Sequence, residues 1–155
     1  MKKIIITLSI MLLLISCSAS GPVFKPEPAA DKNTATVYIY RPWKYFNAAG
    51  YPDIYINDKH MFALKNQGYG VVHLNPNQYV IRADKSSILM NNWYPGPNSI
   101  NLTIEANKEY YIRVSPQSDS ITPIANTVMI TGSTEIILVP KMLALKEISE
   151  TKKVN

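Results

Sequence analysis

Thr36-Val37-Tyr38-Ile39-Tyr40, closed by Arg41-Pro42, alternates aliphatic residues with tyrosines at a period of two. That period is the mark of a half-buried β-strand, and proline ends it because it has no N–H to give to a ladder. The same rhythm continues along the chain. Ile54-Tyr55-Ile56 leads through Asn57-Asp58 into His60-Met61-Phe62-Ala63-Leu64, and the turn chemistry between them predicts a hairpin. Residues 69–74 and 78–83 flank Asn75-Pro76-Asn77 and predict another. Ile100, Leu102 and Ile104 take one face of a strand and Asn101, Thr103 and Glu105 the other, before Ala106-Asn107-Lys108 turns into Tyr110-Tyr111-Ile112-Arg113-Val114. Residues 127–130 and 135–139 around Gly132-Ser133 predict a last hairpin. Only the end breaks the pattern: after Pro140 the spacing of Met142, Leu145 and Ile148 predicts a helix, with Pro140 suited to its first turn and Lys152-Lys153 to its negative end. The expected fold is all-β, an antiparallel β-sandwich of about seven to nine short strands with one C-terminal α-helix covering an edge or an end.

Composition agrees with that expectation. The chain has 155 residues, of which 46% are hydrophobic and 17% charged, as befits one globular domain with enough core to fold without metal or disulfides. Eleven prolines and ten tyrosines favour strands and turns over a helical bundle. A single cysteine excludes a disulfide framework, a four-cysteine zinc site and a Cys-x-x-Cys redox pair.

That cysteine closes a distinctive amino terminus. Lys2 and Lys3 precede an apolar run from Ile4 to Ile15, and Leu14-Ile15-Ser16-Cys17 follows. This is the pattern of an export signal, and a largely apolar run of 12 residues falls short of the roughly 20 that cross a bilayer. Leu-Ile-Ser-Cys resembles a bacterial lipobox, which implies cleavage of residues 1–16 and acylation of Cys17. Acyl chains contribute about 0.8 kcal/mol per buried methylene, so several would hold the protein on a membrane almost irreversibly. In the lipobox pattern Ser18 after the cysteine permits sorting to the outer membrane, where the domain would face the periplasm. A plain secretory signal cut near Ser16 or Ala19 is the alternative. Residues 17–33, with Gly21, Pro22, Pro26 and Pro28, read as the lipidated cysteine and a flexible tether, which at about 3.1 Å per residue could reach roughly 50 Å. The domain proper would be 34–155.

Without Lys2 and Lys3 the formal net charge of +5 falls to +3, and the longest basic run left is Lys152-Lys153. The stripe that a phosphate backbone requires is missing, which argues against nucleic acid as a partner. His60 and His73 have no carboxylate or cysteine at ligand spacing, so neither a metal nor a cofactor is expected. Gly68-Tyr69-Gly70 introduces a strand and no helix, so it is no phosphate cradle. Asp53 and Asp58 flank a strand as turn formers do, and no nucleophile elbow is present; a hydrolase would need them gathered with His60 or His73 in one cleft.

Two connections exceed what a turn needs. Residues 41–52 carry Trp43, Tyr45, Phe46 and Tyr51, and residues 84–99 carry Met90, Trp93 and Tyr94 ahead of Pro95-Gly96-Pro97. Long loops in compact domains are often functional, and Trp43, Tyr45, Tyr51, Trp93 and Tyr94 form the candidate binding surface. The alternative is that these rings fold back and plug the ends of the sandwich.

Residues 34–154 resemble the bacterial family called domain of unknown function 2846. The resemblance rests on Ala35-Thr36-Val37-Tyr38-Ile39-Tyr40-Arg41, on residues 69–82, where Pro76-Asn77 replaces the family's usual Pro-Gly, and on Asn107-Lys108-Glu109-Tyr110-Tyr111-Ile112-Arg113-Val114. It implies a β-sandwich lipoprotein or secreted domain and no catalytic residue. The expectation is therefore a non-enzymatic envelope lipoprotein, attached to the membrane through Cys17, that binds another envelope protein, by strand addition for example. The second expectation is a module for peptidoglycan or polysaccharide, with the aromatic loops stacking on sugar rings.

Overall fold

The computed structural model describes residues 18–27, 31–85, 98–125 and 127–154. The signal segment, Cys17, and Trp93 and Tyr94 with most of their loop lie outside the described residues. Among the described residues, nine strands, β1 (Ala35–Arg41), β2 (Pro52–Ile56), β3 (Lys59–Ala63), β4 (Gly68–Leu74), β5 (Asn77–Lys85), β6 (Ser99–Ile104), β7 (Glu109–Ile124), β8 (Thr127–Leu138) and β9 (Lys152–Lys153), precede or follow one helix, α1 (Lys141–Ile148). They form a β-sandwich: a five-stranded sheet in the order β8-β7-β1-β4-β9 faces a four-stranded sheet in the order β3-β2-β5-β6. Pairing is mostly antiparallel, with β1–β7 and β4–β9 parallel. A parallel pair needs a crossover between its strands, and here the whole four-stranded sheet lies in the chain between β1 and β7.

The alternation that marks β1 serves two cores. Val37 and Ile39 point between the sheets, where they join Ile54, Ile56, Ile81, Ile104, Ile112, Val114 and Ile136. Tyr38 and Tyr40 point the other way, into a second layer with Tyr69, Tyr111, Phe24, Val139, Ala144 and Ile148. Every residue of β1 is buried in consequence. Tyr38 stacks on Tyr111, its parallel-strand neighbour, with centroids 5.0 Å apart, and Phe24 meets Tyr38 and Tyr69 edge-on at 5.4 and 5.1 Å.

Several connections differ from the sequence expectation. The β2–β3 hairpin is present, with Asn57 and Asp58 at φ 46° and 64° as a tight hairpin turn demands. β4 and β5, however, belong to different sheets, so Asn75-Pro76-Asn77 is an arch and Asn77 is not left-handed. Three residue steps at about 3.3 Å cover the roughly 10 Å between packed sheets, so a short link serves either geometry. β6 and β7 are likewise split between the sheets; the turn keeps Asn107 at φ 59°, and its N–H donates to Thr34 O at 2.9 Å. The last hairpin turns at Ala125 rather than at Gly132-Ser133, because β8 runs unbroken through that pair and β7 continues well past Val114.

Helix α1 covers the tyrosine layer on the outer face of the five-stranded sheet rather than an edge or end. Its buried residues are Ala144 and Ile148, with Leu145 half-buried, while Met142 is 84% exposed. At 3.6 residues per turn Met142 stands about 200° round the helix from Ala144, and the small Ala144 permits close approach. Lys152 and Lys153 form a strand beside β4 instead of ending the helix.

The stretch expected to be a tether is partly folded onto the domain. Gly21 N–H donates to Lys153 O at 3.2 Å, Lys153 N–H to Pro22 O at 2.9 Å and Phe24 N–H to Thr151 O at 2.9 Å, so residues 21–24 line the far edge of β9. Phe24 and Ala19 are buried. A ring worth about 1.5–3 kcal/mol when buried, together with these hydrogen bonds, holds the segment down, and the extended preference of the neighbouring prolines suits it to an added edge.

Candidate functional site

The β1–β2 connection is held in shape by two buried polar side chains. Arg41 falls in the same period-two row as Val37 and Ile39, so its side chain enters the end of the sandwich, where it is fully buried. Its guanidinium donates to Gly50 O at 2.6 Å and to Asn47 O at 2.7 Å, closing the loop on itself. Burial lowers its pKa to about 10, so it still carries its charge at neutral pH. Asn66, 1% exposed, braces the other limb: Lys44 N–H donates to its Oδ1 at 3.0 Å, and its Nδ2 donates to Lys44 O at 2.9 Å. Phe46 sits against Gly132 of β8, where a larger residue would overlap its ring.

The brace leaves the two rings beside Lys44 in solvent. Trp43 is 55% and Tyr45 85% exposed, whereas Tyr51 is half-buried. Of the five residues expected to build a binding surface, Trp43 and Tyr45 are thus presented together and Tyr51 is not. Rings of this kind, apolar in body with one hydrogen-bonding group, are free here to contact another surface.

Beneath the loop lies a polar pocket of about 160 Å³ lined by Pro42, Lys44, Arg113, Ser115, Gln117 and Glu147. Its charges are largely satisfied within the fold. Arg113 donates to Glu147 at 2.7 Å and to Glu135 at 3.0 Å, and Tyr40 O–H donates to the other Glu147 oxygen at 2.6 Å. Burial opposes the Arg113 charge, but Glu147 and Glu135 outweigh it and raise its pKa. Burial, reinforced by the bond to Glu147, raises that of Tyr40. This network fastens α1 to β7 and β8; it is a clasp, with little charge left over for a ligand.

The two histidines fall on different sheets, each beside a carboxylate. His60 Nε2 lies 3.2 Å from Asp53 on the outer face of the four-stranded sheet, beside Tyr55 and Arg82, and Arg82 also pairs with Asp58 and Asp84. His73 is on the other sheet, near Glu27 and Thr36. Asp53, Asp58 and His60 thus share one exposed sheet face, and His73 stands apart from them.

A second exposed feature escapes the sequence. β1 pairs with β7 as far as Arg113, and beyond Ser115 β7 pairs, among the described residues, with β8 alone to a turn at Ala125. Ile121 and Met129 on this ribbon are 67% and 48% exposed. Its length was hidden because Ser118, Asp119, Ser120 and Pro123 break the apolar alternation. Arg41 was legible in principle from its parity with Val37 and Ile39; the role of Asn66 was not, since Asn66-Gln67-Gly68 looks like ordinary turn chemistry.

The sequence model of the family described as "Protein of unknown function (DUF2846)" matches residues 31–132. That span is most of the domain, and the chain belongs to this family. No curated protein and no solved structure matches the chain.

Proposed function

Starting from a family whose description assigns no activity, we propose that this chain is a non-enzymatic lipoprotein of the bacterial cell envelope, anchored through acylated Cys17 in the outer membrane and facing the periplasm, whose domain is a binding or accessory module for another envelope protein. The observation that carries the reading is the ribbon of β7 and β8. A two-stranded ribbon is marginal in water, and this one holds Ile121 of β7 and Met129 of β8, the edge strand, in solvent. A partner that adds a strand to β8 would supply the missing backbone bonds and cover both side chains. The test is in-cell crosslinking of the full-length protein followed by isolation from envelope membranes and mass spectrometry, beside Cys17→Ala and a doubly substituted Ile121→Lys, Met129→Lys chain. A stoichiometric protein lost in both controls is the expected result. A partner list unchanged by the lysines would refute the ribbon as its seat.

The exposure of Trp43 and Tyr45 favours a second reading, in which flat rings stack on the sugars of peptidoglycan or another polysaccharide. On that reading alanine at both positions abolishes binding to the polymer and leaves thermal stability unchanged.

A further inference from the structure

The start of the domain and the aromatic loop meet at one residue. Ser18 bridges to Asn66, and Ala19 N–H donates to Asn66 O at 3.1 Å. The side chain of the same Asn66 holds both backbone groups of Lys44. Lys44 stands between Trp43 and Tyr45, the most exposed rings on this loop, and Lys65 is next in the chain to Asn66. The residue bonded to Ser18 is Cys17, where the apolar segment ends. Whatever is attached to Cys17 therefore leaves the domain beside Trp43 and Tyr45, with no free tether between them.

We propose that Trp43 and Tyr45, with Lys44, form a membrane-docking foot that seats this end of the sandwich in the headgroup layer of the bilayer to which the chain is anchored. This rests on the reading of Cys17 as the acylated residue. Tryptophan and tyrosine rings partition to that layer because one part of each is apolar and another carries a hydrogen-bonding group, and lysines flanking them attract anionic headgroups. Neither ring has to supply the affinity alone. An anchor one residue from Ser18, itself linked through Asn66 to Lys44, holds them at high effective concentration against the surface, so a weak preference suffices to keep them seated. The packing of Ala19 and Phe24 then has a consequence for orientation: the domain rests on the membrane rather than standing off it, and the β7–β8 ribbon is displayed at a fixed attitude to partners in the same envelope.

The test uses the full-length protein purified from bacterial membranes and reconstituted into vesicles of phosphatidylethanolamine and phosphatidylglycerol with or without brominated acyl chains. Mass spectrometry of the amino-terminal peptide is run on the same sample. The Trp43 signal is obtained twice, directly from Trp93→Phe and as the difference between the unaltered chain and Trp43→Phe, so that misfolding of one variant does not decide the matter. The expected result is an acylated peptide, a blue-shifted Trp43 emission and a loss of about half its intensity in brominated vesicles, as for a ring at the interface. An acylated peptide with Trp43 unquenched overturns the docking foot and leaves the anchor standing. An unmodified Cys17 overturns the anchor and the foot with it. Binding of the detergent-solubilised protein to peptidoglycan sacculi through Trp43 and Tyr45, without quenching in vesicles, overturns the foot and gives the rings to a polymer.

Discussion

The two sheets share one core and differ in what lies on their outer faces. On the five-stranded sheet the outer row is Tyr38, Tyr40, Tyr69 and Tyr111, roofed by α1 and Phe24. On the four-stranded sheet the corresponding row holds Asp53, Tyr55, His60 and Arg82, and Tyr55 keeps solvent on one side with Arg82 lying 4.7 Å over its ring. Tyrosine occurs in both rows. Whether it becomes core or surface is decided by the chain that returns over the sheet, and among the described residues only the five-stranded sheet receives an amino-terminal segment and a helix.

The largest effect that would sharpen this contrast is alkaline. Burial raises the pKa of Tyr38, Tyr40, Tyr69 and Tyr111 above the ordinary 10, and carboxylate partners raise Tyr40 and Tyr111 further. In each the folded pKa exceeds the unfolded one, so the contribution to stability is whole below pH 10 and drains away as the pH climbs beyond it. The domain is expected to unfold cooperatively above pH 10, with part of the phenolate absorbance appearing only as the near-ultraviolet circular dichroism collapses. Ionisation of all ten tyrosines in a domain that keeps that dichroism would contradict the roofed layer.

Next in size is a pair of alanine substitutions. Tyr38→Ala removes a fully buried ring from between Phe24 and Tyr111 and should cost about 3–5 kcal/mol in urea unfolding. Tyr55→Ala, on the open face, should cost about 1 kcal/mol or less, the scale of one cation–π contact and a cross-strand pair. Equal costs would erase the distinction between the faces.

The smallest effect probes the core that the sheets share. Gly70 of β4 lies opposite Ile39, and a methyl there would overlap the ring of Phe62 from the other sheet. Gly70→Ala should destabilise by about 1–3 kcal/mol, the usual cost of overpacking. Adding Phe62→Leu should make the pair less costly than the sum of its single changes, because the clash is one contact counted in both. Strict additivity would show that the sheets do not meet there.

How much of this could be read from the chain differs by region. Strands and the tight turn at Asn57-Asp58 were legible because they depend on neighbours in sequence: alternation, proline and residues that tolerate positive φ. The assignment of β4 and β5 to opposite sheets was not, since a three-residue link fits a hairpin and an arch equally. Of the expected binding residues, the exposure of Trp43 and Tyr45 follows from Arg41 and Asn66, which act from elsewhere in the chain. The packing of residues 18–24 was hidden for the same reason: prolines there signal an extended chain, and an extended chain can be a tether or an added edge.

By itself the sequence determined that the chain is an all-β sandwich with one terminal helix, and that its one cysteine follows a positive and then apolar stretch. Period-two alternation and a positive, apolar, small-residue order are properties of adjacent residues, and nothing distant can alter them. Only the tertiary structure decided that β1 runs parallel to β7, that the tyrosine row is a second core, and that Ser18, Asn66 and Lys44 meet. Those outcomes depend on which segments compete for a given apolar face or backbone edge, and that competition is settled between residues far apart in the chain, when the sheets close on one another.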